Sequence, residues 1–199
     1  MPIKNSKEFI KKLESEGELK RISAEVDPVL EITEIADRIS KTYGPALFFE
    51  KIKGSPFPLL INAFGSFRRM ELVLGCSGFD DVARRIEALI KFKPPGSFSQ
   101  KIKMLLDLKA LSKVTPKKVK HAPCQEQTYE MDGPLLNLLP ILTCWPHDGG
   151  PFITLPVVIT KDPDTGIQNM GMYRMHKYDH ATTGMHWQYN KDGNRHFDK

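Results

Sequence analysis

The stretch 149–174 constrains the fold most, because it contains two β-rich runs joined by a turn. Residues 152–160 are almost entirely apolar, and a short run of this kind predicts a strand that is buried on both faces. Residues 162–166 read Asp-Pro-Asp-Thr-Gly, which is typical of a turn, since proline presets φ and glycine accepts a positive φ. Residues 168–175 then predict the returning strand. The sequence therefore predicts a buried β-hairpin.

The second strand of this hairpin contains polar residues that a core strand normally lacks, among them Asn169, Tyr173 and Arg174. A buried polar group costs free energy unless it has a partner, so the pattern indicates a bound anionic ligand or a metal ion. Strict alternation places Asn169 and Tyr173 on one face of the strand and Arg174 on the other. We therefore expect a β-bulge at Gly171, which would let both faces serve one site.

Two of these side chains have chemistry that suits a ligand. The amide oxygen of Asn169 is a hard donor that fits Mn²⁺ or Mg²⁺ better than zinc. The guanidinium of Arg174 can bind a carboxylate or a phosphate with two parallel hydrogen bonds. The residues alone leave plainer alternatives open, namely a turn asparagine that bonds only its neighbours and an arginine in a surface salt bridge.

Composition excludes several classes of protein. The chain has 199 residues, a net charge of +5 and 40% hydrophobic residues, as expected for a globular protein of one or two domains. No aromatic residues interleave with the lysines at 117–120, so we expect no nucleic-acid partner. The three cysteines form no CxxC pair, which favours a reducing, cytoplasmic location. No apolar run approaches the ~20 residues of a transmembrane segment.

The two parts of the chain differ in pattern. Residues 1–116 alternate helical and strand periodicities, which predicts a small α/β domain. Residues 117–199 contain short strand patterns separated by Gly/Pro turns, which predicts a barrel or a sandwich. The expected elements of the first part are a helix capped at Asn5 or Ser6 and stopped by Gly17, a helix capped by Asp27 with Pro28 first, strands at 46–50 and 59–63, and helices at 79–90 and 99–111.

Two clusters of charged or metal-binding residues have a plain interpretation. Arg68 and Arg69 could reach an anion, but a solvated helix start is the favoured hypothesis. His176 and His180 lie four residues apart, a spacing that would suit zinc on a helix. That stretch predicts a strand followed by a loop, and no further ligands complete a set, so a zinc site is disfavoured.

Three motifs occur in order around the hairpin: Thr143-Cys-Trp-Pro-His-Asp-Gly-Gly-Pro151, Asn169-Met-Gly-Met-Tyr-Arg174 and Gly184-Met-His-Trp187. With these motifs the chain resembles the UbiD family of decarboxylases, of the 3-polyprenyl-4-hydroxybenzoate carboxy-lyase type. The resemblance implies an α/β N-terminal domain at residues 1–116. It further implies that residues 117–199 are the N-terminal part of a split β-barrel of the flavin-binding type.

The resemblance also implies a function. It is the prenylated-FMN-dependent, non-oxidative (de)carboxylation of an aromatic or α,β-unsaturated carboxylic acid, such as a polyprenyl-hydroxybenzoate of ubiquinone biosynthesis. Arg174 would orient the substrate carboxylate as the catalytic residue, and Asn169 would hold Mn²⁺ or Mg²⁺ next to the cofactor phosphate. The residues implied to contact the cofactor are Met172, Tyr173, Arg174, His186, Trp187, Gln188, Lys191 and Asp192.

The chain departs from the family in two ways. Asn190 stands where members often carry a metal-binding histidine, and the acidic residues that complete the site lie downstream in longer members. We therefore expect this chain to be an N-terminal portion that is inactive alone. At full length we expect a homo-oligomer whose cofactor is supplied by a flavin prenyltransferase. The alternatives are a flavin- or nucleotide-binding module without catalysis, and an inactive truncated fragment in which Asn169 and Arg174 are structural.

Overall fold

The structure, a computed structural model, describes residues 3–90, 119–128, 133 and 135–199. The helix expected at 99–111 lies outside the described residues. The chain divides into two compact units, one formed by Met1–Gly75 with Met131–Lys199 and the other by Cys76–Glu130. In the second unit the helix α4 spans Phe79–Ile90, as its apolar periodicity predicts, and a 3₁₀ turn spans Pro123–Gln125.

The first part of the larger unit is a mixed sheet in the order β1-β2-β3. Strands β1 and β2 run parallel, and β3 pairs antiparallel to β2. The strands are β1 (Leu19–Val26), β2 (Ala46–Ile52) and β3 (Leu59–Ile61), and the accompanying helices are α1 (Ser6–Ser15), α2 (Glu31–Lys41) and α3 (Phe67–Leu74).

Local signals set the ends of α1 as expected. The side chain of Asn5 accepts a hydrogen bond from the backbone N–H of Glu8 at 2.9 Å, which satisfies one of the free donors of the first turn. Gly17 follows the helix with a φ of 72°, the left-handed conformation that ends many helices. The prediction for this helix is confirmed.

The start of α2 differs from the expectation that Pro28 would be its first residue. The carboxylate of Asp27 accepts from the N–H of Val29 at 2.9 Å and closes a local turn. Leu30 then takes a φ of 69° as the N-cap, so the helix begins at Glu31. Because the Asp27 side chain bonds two residues ahead, the chain stays out of the helix for one more turn.

Two apolar clusters form the core of this region. One packs between the sheet and α2, and the other packs under α1. Burying such side chains contributes about 1.5–3 kcal/mol each relative to leaving them in water. The first cluster consists of Val26, Ile32, Leu47, Phe49 and Ile52, and the second of Phe9, Leu13 and Ala46.

Arg69 corrects the expectation of a solvated helix start. Arg68 is half-exposed and pairs with Glu16 at 2.6 Å, as expected. Arg69, however, is fully buried, and its Nη1 donates to Glu18 at 2.8 Å and to the carbonyl of Gly44 at 3.2 Å. The expectation was wrong for Arg69 because its partners come from the residue before β1 and from the loop between α2 and β2, which local sequence does not reveal.

The second part of the larger unit has two small antiparallel sheets and a final helix. One sheet has the order β4-β7-β8 and the other pairs β5 with β6. A 3₁₀ turn at Leu135–Asn137 precedes them. The elements are β4 (Phe152–Ile153), β5 (Val157–Lys161), β6 (Gln168–Met172), β7 (Met175–Lys177), β8 (Thr183–Met185) and α5 (Asp192–Asp198).

The expected single strand at 152–160 is two strands in different sheets. Pro156, which has no N–H to donate to a ladder, lies in the break between them. Strand β5 is not buried on both faces, since Val157 and Ile159 are 69% and 62% exposed. The prediction of a strand buried on both faces was therefore wrong. Among the described residues, α5 packs on one face of the hairpin and leaves the other face exposed.

The expected bulge at Gly171 is also absent from the described hairpin. The β5–β6 register is continuous and pairs Val158 with Gly171 and Thr160 with Asn169. The ladder ends at Met172, and the chain then crosses to the other sheet through Tyr173–Arg174. The bulge prediction was wrong, because the alternation is interrupted by a change of sheet and not by a bulge.

Among the described residues, no helix is long and apolar enough to cross a bilayer.

Candidate functional site

The hairpin and α5 enclose a polar hollow of about 410 Å³. Strand β6 supplies Asn169, the hairpin turn supplies Asp162, and α5 supplies the remaining charged groups at helical spacing. The lining residues are Asp162, Ile167, Gln168, Asn169, Asp192, Arg195, His196 and Lys199. Both signs of charge meet here, so the hollow can accommodate a polar or charged ligand group.

Asn169 is held by two side chains of the hairpin. Its Nδ2 donates to Oγ1 of Thr160 at 3.2 Å and to the hydroxyl of Tyr173 at 3.3 Å. Thr160 lies directly opposite Asn169 in the ladder, which brings their side chains onto one face. With both amide hydrogens engaged, the carbonyl oxygen Oδ1 is the free acceptor of this amide.

His196 belongs to this hollow, although sequence reasoning missed it. Its Nδ1 lies 2.9 Å from Oγ1 of Thr160, and its Nε2 lies 3.9 Å from Oδ2 of Asp162. The signal was available, because Asp192, His196 and Lys199 recur at positions i, i+4 and i+7, which share one face of a helix.

The charges of the hollow are internally balanced. Lys199 donates to Oδ2 of Asp162 at 2.9 Å and also reaches Asp164 at 3.0 Å. The hydrogen bond from Lys199, with those from the backbone N–H groups of Thr165 and Asp164, holds the pKa of Asp162 well below its ordinary value. The same carboxylates raise the pKa of Lys199.

Tyr173 and Trp187 pack beneath α5. Tyr173 is 3% exposed, and its hydroxyl accepts from the N–H of Gly193 at 2.8 Å. Trp187 meets the tyrosine ring edge-on at 5.5 Å between centroids, and Nζ of Lys191 lies 5.0 Å from the centre of the same ring. Lys191 also donates to the carbonyl of Met172 at 2.9 Å. These contacts position the start of α5 against β6.

A second hollow of about 260 Å³ surrounds Arg174. The exposed guanidinium lies over the ring of Phe152, with Cζ 4.6 Å from the ring centre. The ring of His176 stacks on Phe152 at 4.4 Å, and Tyr178 meets His176 edge-on at 4.9 Å. His186 also lines this hollow. A cation held above a flat aromatic wall is suited to an anion attached to an aromatic group.

The glycines before the hairpin serve this second hollow. A side chain at Gly150 would place its Cβ 2.9 Å from Nε2 of His176, and one at Gly149 would lie 3.2 Å from the same ring. Gly150 has a φ of 148°. These two glycines therefore let the backbone approach the imidazole of His176 closely.

The structure thus separates the residues singled out by the sequence. Asn169 and Asp192 line the first hollow, whereas Arg174 and His186 line the second, and the two sets of lining residues have no member in common. The remaining predicted residues lie between or beside them. Tyr173 and Trp187 are packed under α5, Lys191 bridges to β6, and Met172 and Gln188 are exposed.

Metal binding can be tested against these residues. The described residues contain no group of three His, Cys, Asp or Glu side chains placed to hold a metal ion. Oδ1 of Asn169 fits the preference of Mn²⁺ or Mg²⁺ for oxygen, so Asn169 suits the role of one ligand. Asn190, the substitute for the usual histidine, is exposed in the turn before α5.

Comparison with known proteins identifies the family. A model described as the UbiD, 3-octaprenyl-4-hydroxybenzoate carboxy-lyase, Rift-related domain matches residues 117–199, and the N-terminal domain of the same carboxy-lyase matches residues 10–89. The chain belongs to the UbiD family. A protein of Archaeoglobus fulgidus is 47% identical to this UbiD chain over all of its 199 residues, which correspond to 40% of that protein. The chain thus spans about two fifths of such relatives.

Solved UbiD-class enzymes share the fold. HmfF of Pelotomaculum thermopropionicum in complex with FMN has a TM-score of 0.69 at 25% identity, over 96% of this chain and 38% of HmfF. Its evolved dimeric form in complex with prFMN gives 0.67 at 26% identity, over 92% and 38%. Vanillic acid decarboxylase of Sedimentibacter hydroxybenzoicus in open form gives 0.73 at 28% identity, over 93% and 36%. The mixed α/β architecture of this chain is that of the N-terminal part of these enzymes.

Proposed function

We propose that this chain carries part of the site for prenylated-FMN-dependent, non-oxidative decarboxylation of an aromatic or α,β-unsaturated carboxylic acid. The observation that carries the proposal is the Arg174 hollow, a guanidinium over an aromatic wall in a chain related to enzymes solved with FMN and prFMN. A polyprenyl-hydroxybenzoate is the candidate substrate, in line with the carboxy-lyase description of the family.

In this proposal Arg174 is the catalytic residue that orients the substrate carboxylate. Its guanidinium is exposed, and Phe152 fixes it from one side, which leaves its donors free for a bidentate contact. His186 lines the same hollow and would contact the cofactor ring. When bound, the prenylated flavin would supply the electron sink for the bonding pair that CO₂ leaves on the substrate. The chain's own contribution is orientation, which lowers the entropic part of the barrier.

The first hollow would hold the charged end of the cofactor. Asn169 would supply one oxygen to Mn²⁺ or Mg²⁺, and Lys191 and Asp192 lie at the start of α5 beside it. Met172 and Gln188 are exposed and would contact other parts of the cofactor as walls. The side chains of Tyr173 and Trp187 would act from beneath, by holding α5 against the hairpin.

The small sheets of residues 152–185 would be part of a split β-barrel. The outward face of the hairpin exposes the cross-strand pairs Val157–Met172 and Ile159–Met170. Two-stranded sheets of this kind are at best marginally stable alone in water. The relatives are about two and a half times as long as this chain, and the proposal assigns their additional residues to covering this face. The boundary at 116/117 is supported by the match of the Rift-related domain to 117–199.

Flavin titration tests the proposal. Adding the chain to FMN should quench the flavin fluorescence, and Arg174→Ala should weaken that binding by about tenfold, the effect of losing one charge-assisted contact of 1.5 kcal/mol or so. Arg84→Ala is the matched control, since Arg84 is an exposed arginine paired with Asp81 in the other unit. Equal affinities for the wild type and Arg174→Ala would reject a contact between Arg174 and the flavin.

A flavin-binding module without turnover is the second candidate, favoured by the placement of Asn169 and Arg174 in separate hollows. Under the main proposal, the chain mixed with prFMN, Mn²⁺ and an aromatic acid releases no CO₂, because it contributes only part of the site. Addition of the remaining C-terminal part of the Archaeoglobus fulgidus relative should then restore CO₂ release. Flavin binding that never becomes catalytic under those conditions would favour the second candidate.

A further inference from the structure

The side-chain amide of Asn169 is held in one orientation by a directional chain of hydrogen bonds. Thr160 and Tyr173 accept from Nδ2 at 3.2 and 3.3 Å. An amide nitrogen has two hydrogens, so both are used, and Oδ1 remains as the acceptor. The direction of this amide decides whether Asn169 offers an acceptor or donors to a ligand.

His196 sets the direction in which the hydrogen bonds of Thr160 and Asn169 run. Its Nδ1 lies 2.9 Å from Oγ1 of Thr160, and its Nε2 lies 3.9 Å from the carboxylate of Asp162. The negative charge of Asp162 favours a proton on Nε2, which makes Nδ1 the acceptor. Thr160 must then donate its hydroxyl hydrogen to His196, and its oxygen is left to accept from Asn169.

The reversed amide would break this order. Oδ1 of Asn169 would need the hydroxyl hydrogen of Thr160, so Nδ1 of His196 would have to be the donor. A neutral imidazole would then turn a bare Nε2 toward the carboxylate of Asp162. The side chains of His196 and Asp162 are only 11% and 14% exposed, so water compensates little for that mismatch.

The other side of the amide is fixed by packing. Tyr173 is almost fully buried, and its hydroxyl also accepts from the N–H of Gly193 at 2.8 Å. A Cβ at Gly193 would lie 2.6 Å from that hydroxyl oxygen and 2.9 Å from the Trp187 ring. The tyrosine hydroxyl is therefore held against the backbone of Gly193, beside Asn169.

We infer that Thr160 and His196 are positioning residues that hold the Asn169 amide with Oδ1, and not Nδ2, available to a ligand in the polar hollow. The inference rests on the proposed function, in which Asn169 provides an oxygen to a divalent cation. It adds two residues that act on the site through hydrogen bonds to Asn169 and Thr160, and it explains how β5 and α5 act on a residue of β6.

Nuclear magnetic resonance of the ¹⁵N-labelled 199-residue chain tests the inference without any metal. The two side-chain amide hydrogens of Asn169 should exchange with water more slowly than those of the exposed Asn190. Thr160→Val, which removes the hydroxyl at nearly constant shape, should accelerate exchange of one Asn169 hydrogen by about five- to tenfold, the effect expected for one lost hydrogen bond. His196→Phe should produce a smaller acceleration of the same hydrogen.

Two controls separate positioning from general loosening of the fold. Thr160→Ser keeps the hydroxyl and should restore the wild-type exchange rate. Thr33→Val removes a buried hydroxyl that has no partner among the described residues, and it should leave the Asn169 amide unchanged. Equal exchange in the wild type and Thr160→Val, or a serine variant that behaves like the valine variant, would overturn the inference.

Mn²⁺ as a probe tests the proposed function separately. In the wild type, Mn²⁺ should broaden the Asn169 amide signals, and Thr160→Val should need several-fold more Mn²⁺ for the same broadening, whereas Thr160→Ser should not. If the amide is protected as predicted but Mn²⁺ leaves its signals unchanged, the metal role of Asn169 fails while the orientation by Thr160 and His196 stands.

Discussion

The sheet β1–β3 and the hairpin β5–β6 bury their residues in opposite ways. In the sheet, Leu47 and Phe49 are 1% and 0% exposed, and helices of the same region supply the covering side chains. In the hairpin, Val157 and Met170 are each 69% exposed, and α5 packs against the other face. The first region thus completes its own core, whereas the hairpin leaves an apolar face open among the described residues.

The two regions also differ in where their polar side chains lie. In the region of the sheet, Arg69 of α3 is the one buried charged side chain among the described residues, and it is paired with Glu18. The hairpin concentrates Asn169, Thr160 and Asp162 in hydrogen-bonded contacts beside a hollow. Because the hairpin is only partly covered by the rest of the region, its polar side chains can contact a ligand.

The largest expected effect is in the core of the sheet. Phe49→Ala should lower the free energy of unfolding by about 3–5 kcal/mol, because it leaves a cavity at a fully buried position. Ile159→Ala, in the exposed face of the hairpin, should change it by no more than about 0.5 kcal/mol. Urea denaturation of both variants measures the contrast, and similar losses would mean that the two regions do not differ as described.

The next effect concerns the buried arginine. Arg69→Ala should cost roughly 3 kcal/mol of unfolding free energy, since it strands the partly buried Glu18 and the carbonyl of Gly44. Arg68→Ala removes a half-exposed ion pair with Glu16 and should cost less than about 1 kcal/mol. Chemical denaturation of the pair is the measurement. Equal costs at the two neighbouring arginines would contradict the burial of Arg69.

A smaller effect probes the packing of α5 on the hairpin. Gly193→Ala should destabilise the chain by about 1–3 kcal/mol, because the new Cβ would overlap Tyr173 and Trp187. Gly78→Ala meets open space and should be close to neutral. Thermal unfolding, followed by the fluorescence of Trp187 and Trp145, compares the two. A neutral Gly193→Ala would show that α5 is not seated on Tyr173.

The smallest effect is the acid dependence of the hairpin turn. Folding lowers the pKa of Asp162 from 3.8, chiefly through the hydrogen bond from Lys199. The ionised Asp162 therefore stabilises the fold above pH 3.8, and this stabilisation is lost as the pH falls toward the lower pKa of the folded state. Asp162→Asn should therefore flatten the loss of stability below about pH 4. Asp164→Asn is the control, because Asp164 is an exposed partner of the same lysine. Identical acid profiles in the wild type and Asp162→Asn would contradict this assignment.

Local chemistry was readable from the sequence, and contacts over long distances were not. The cap at Asn5 and the turn at Asp162, whose Oδ1 accepts from Asp164 and Thr165, depend on neighbours only and were predicted. The break of 152–160 into two strands and the burial of Arg69 depend on partners far along the chain, and both were missed.

The candidate site followed the same division. The motif around Asn169 and Arg174 was sufficient to predict the family, which the comparisons confirm. Strict strand alternation indicated that Asn169 and Arg174 lie apart, but the expected bulge at Gly171 was wrong and led away from their placement in separate hollows. His196 was missed because its contact with Thr160 joins the last helix to β5.

Mapping of ligand-induced shifts in the ¹⁵N spectrum is the most direct test that the hairpin region, and not the first sheet, carries the site. With FMN and the diamagnetic Mg²⁺ added to the labelled chain, we expect the largest shifts at Arg174, His186 and Asn169, and little change in residues 19–61. Shifts concentrated in 19–61, or no shifts at any concentration that quenches the flavin, would contradict the account.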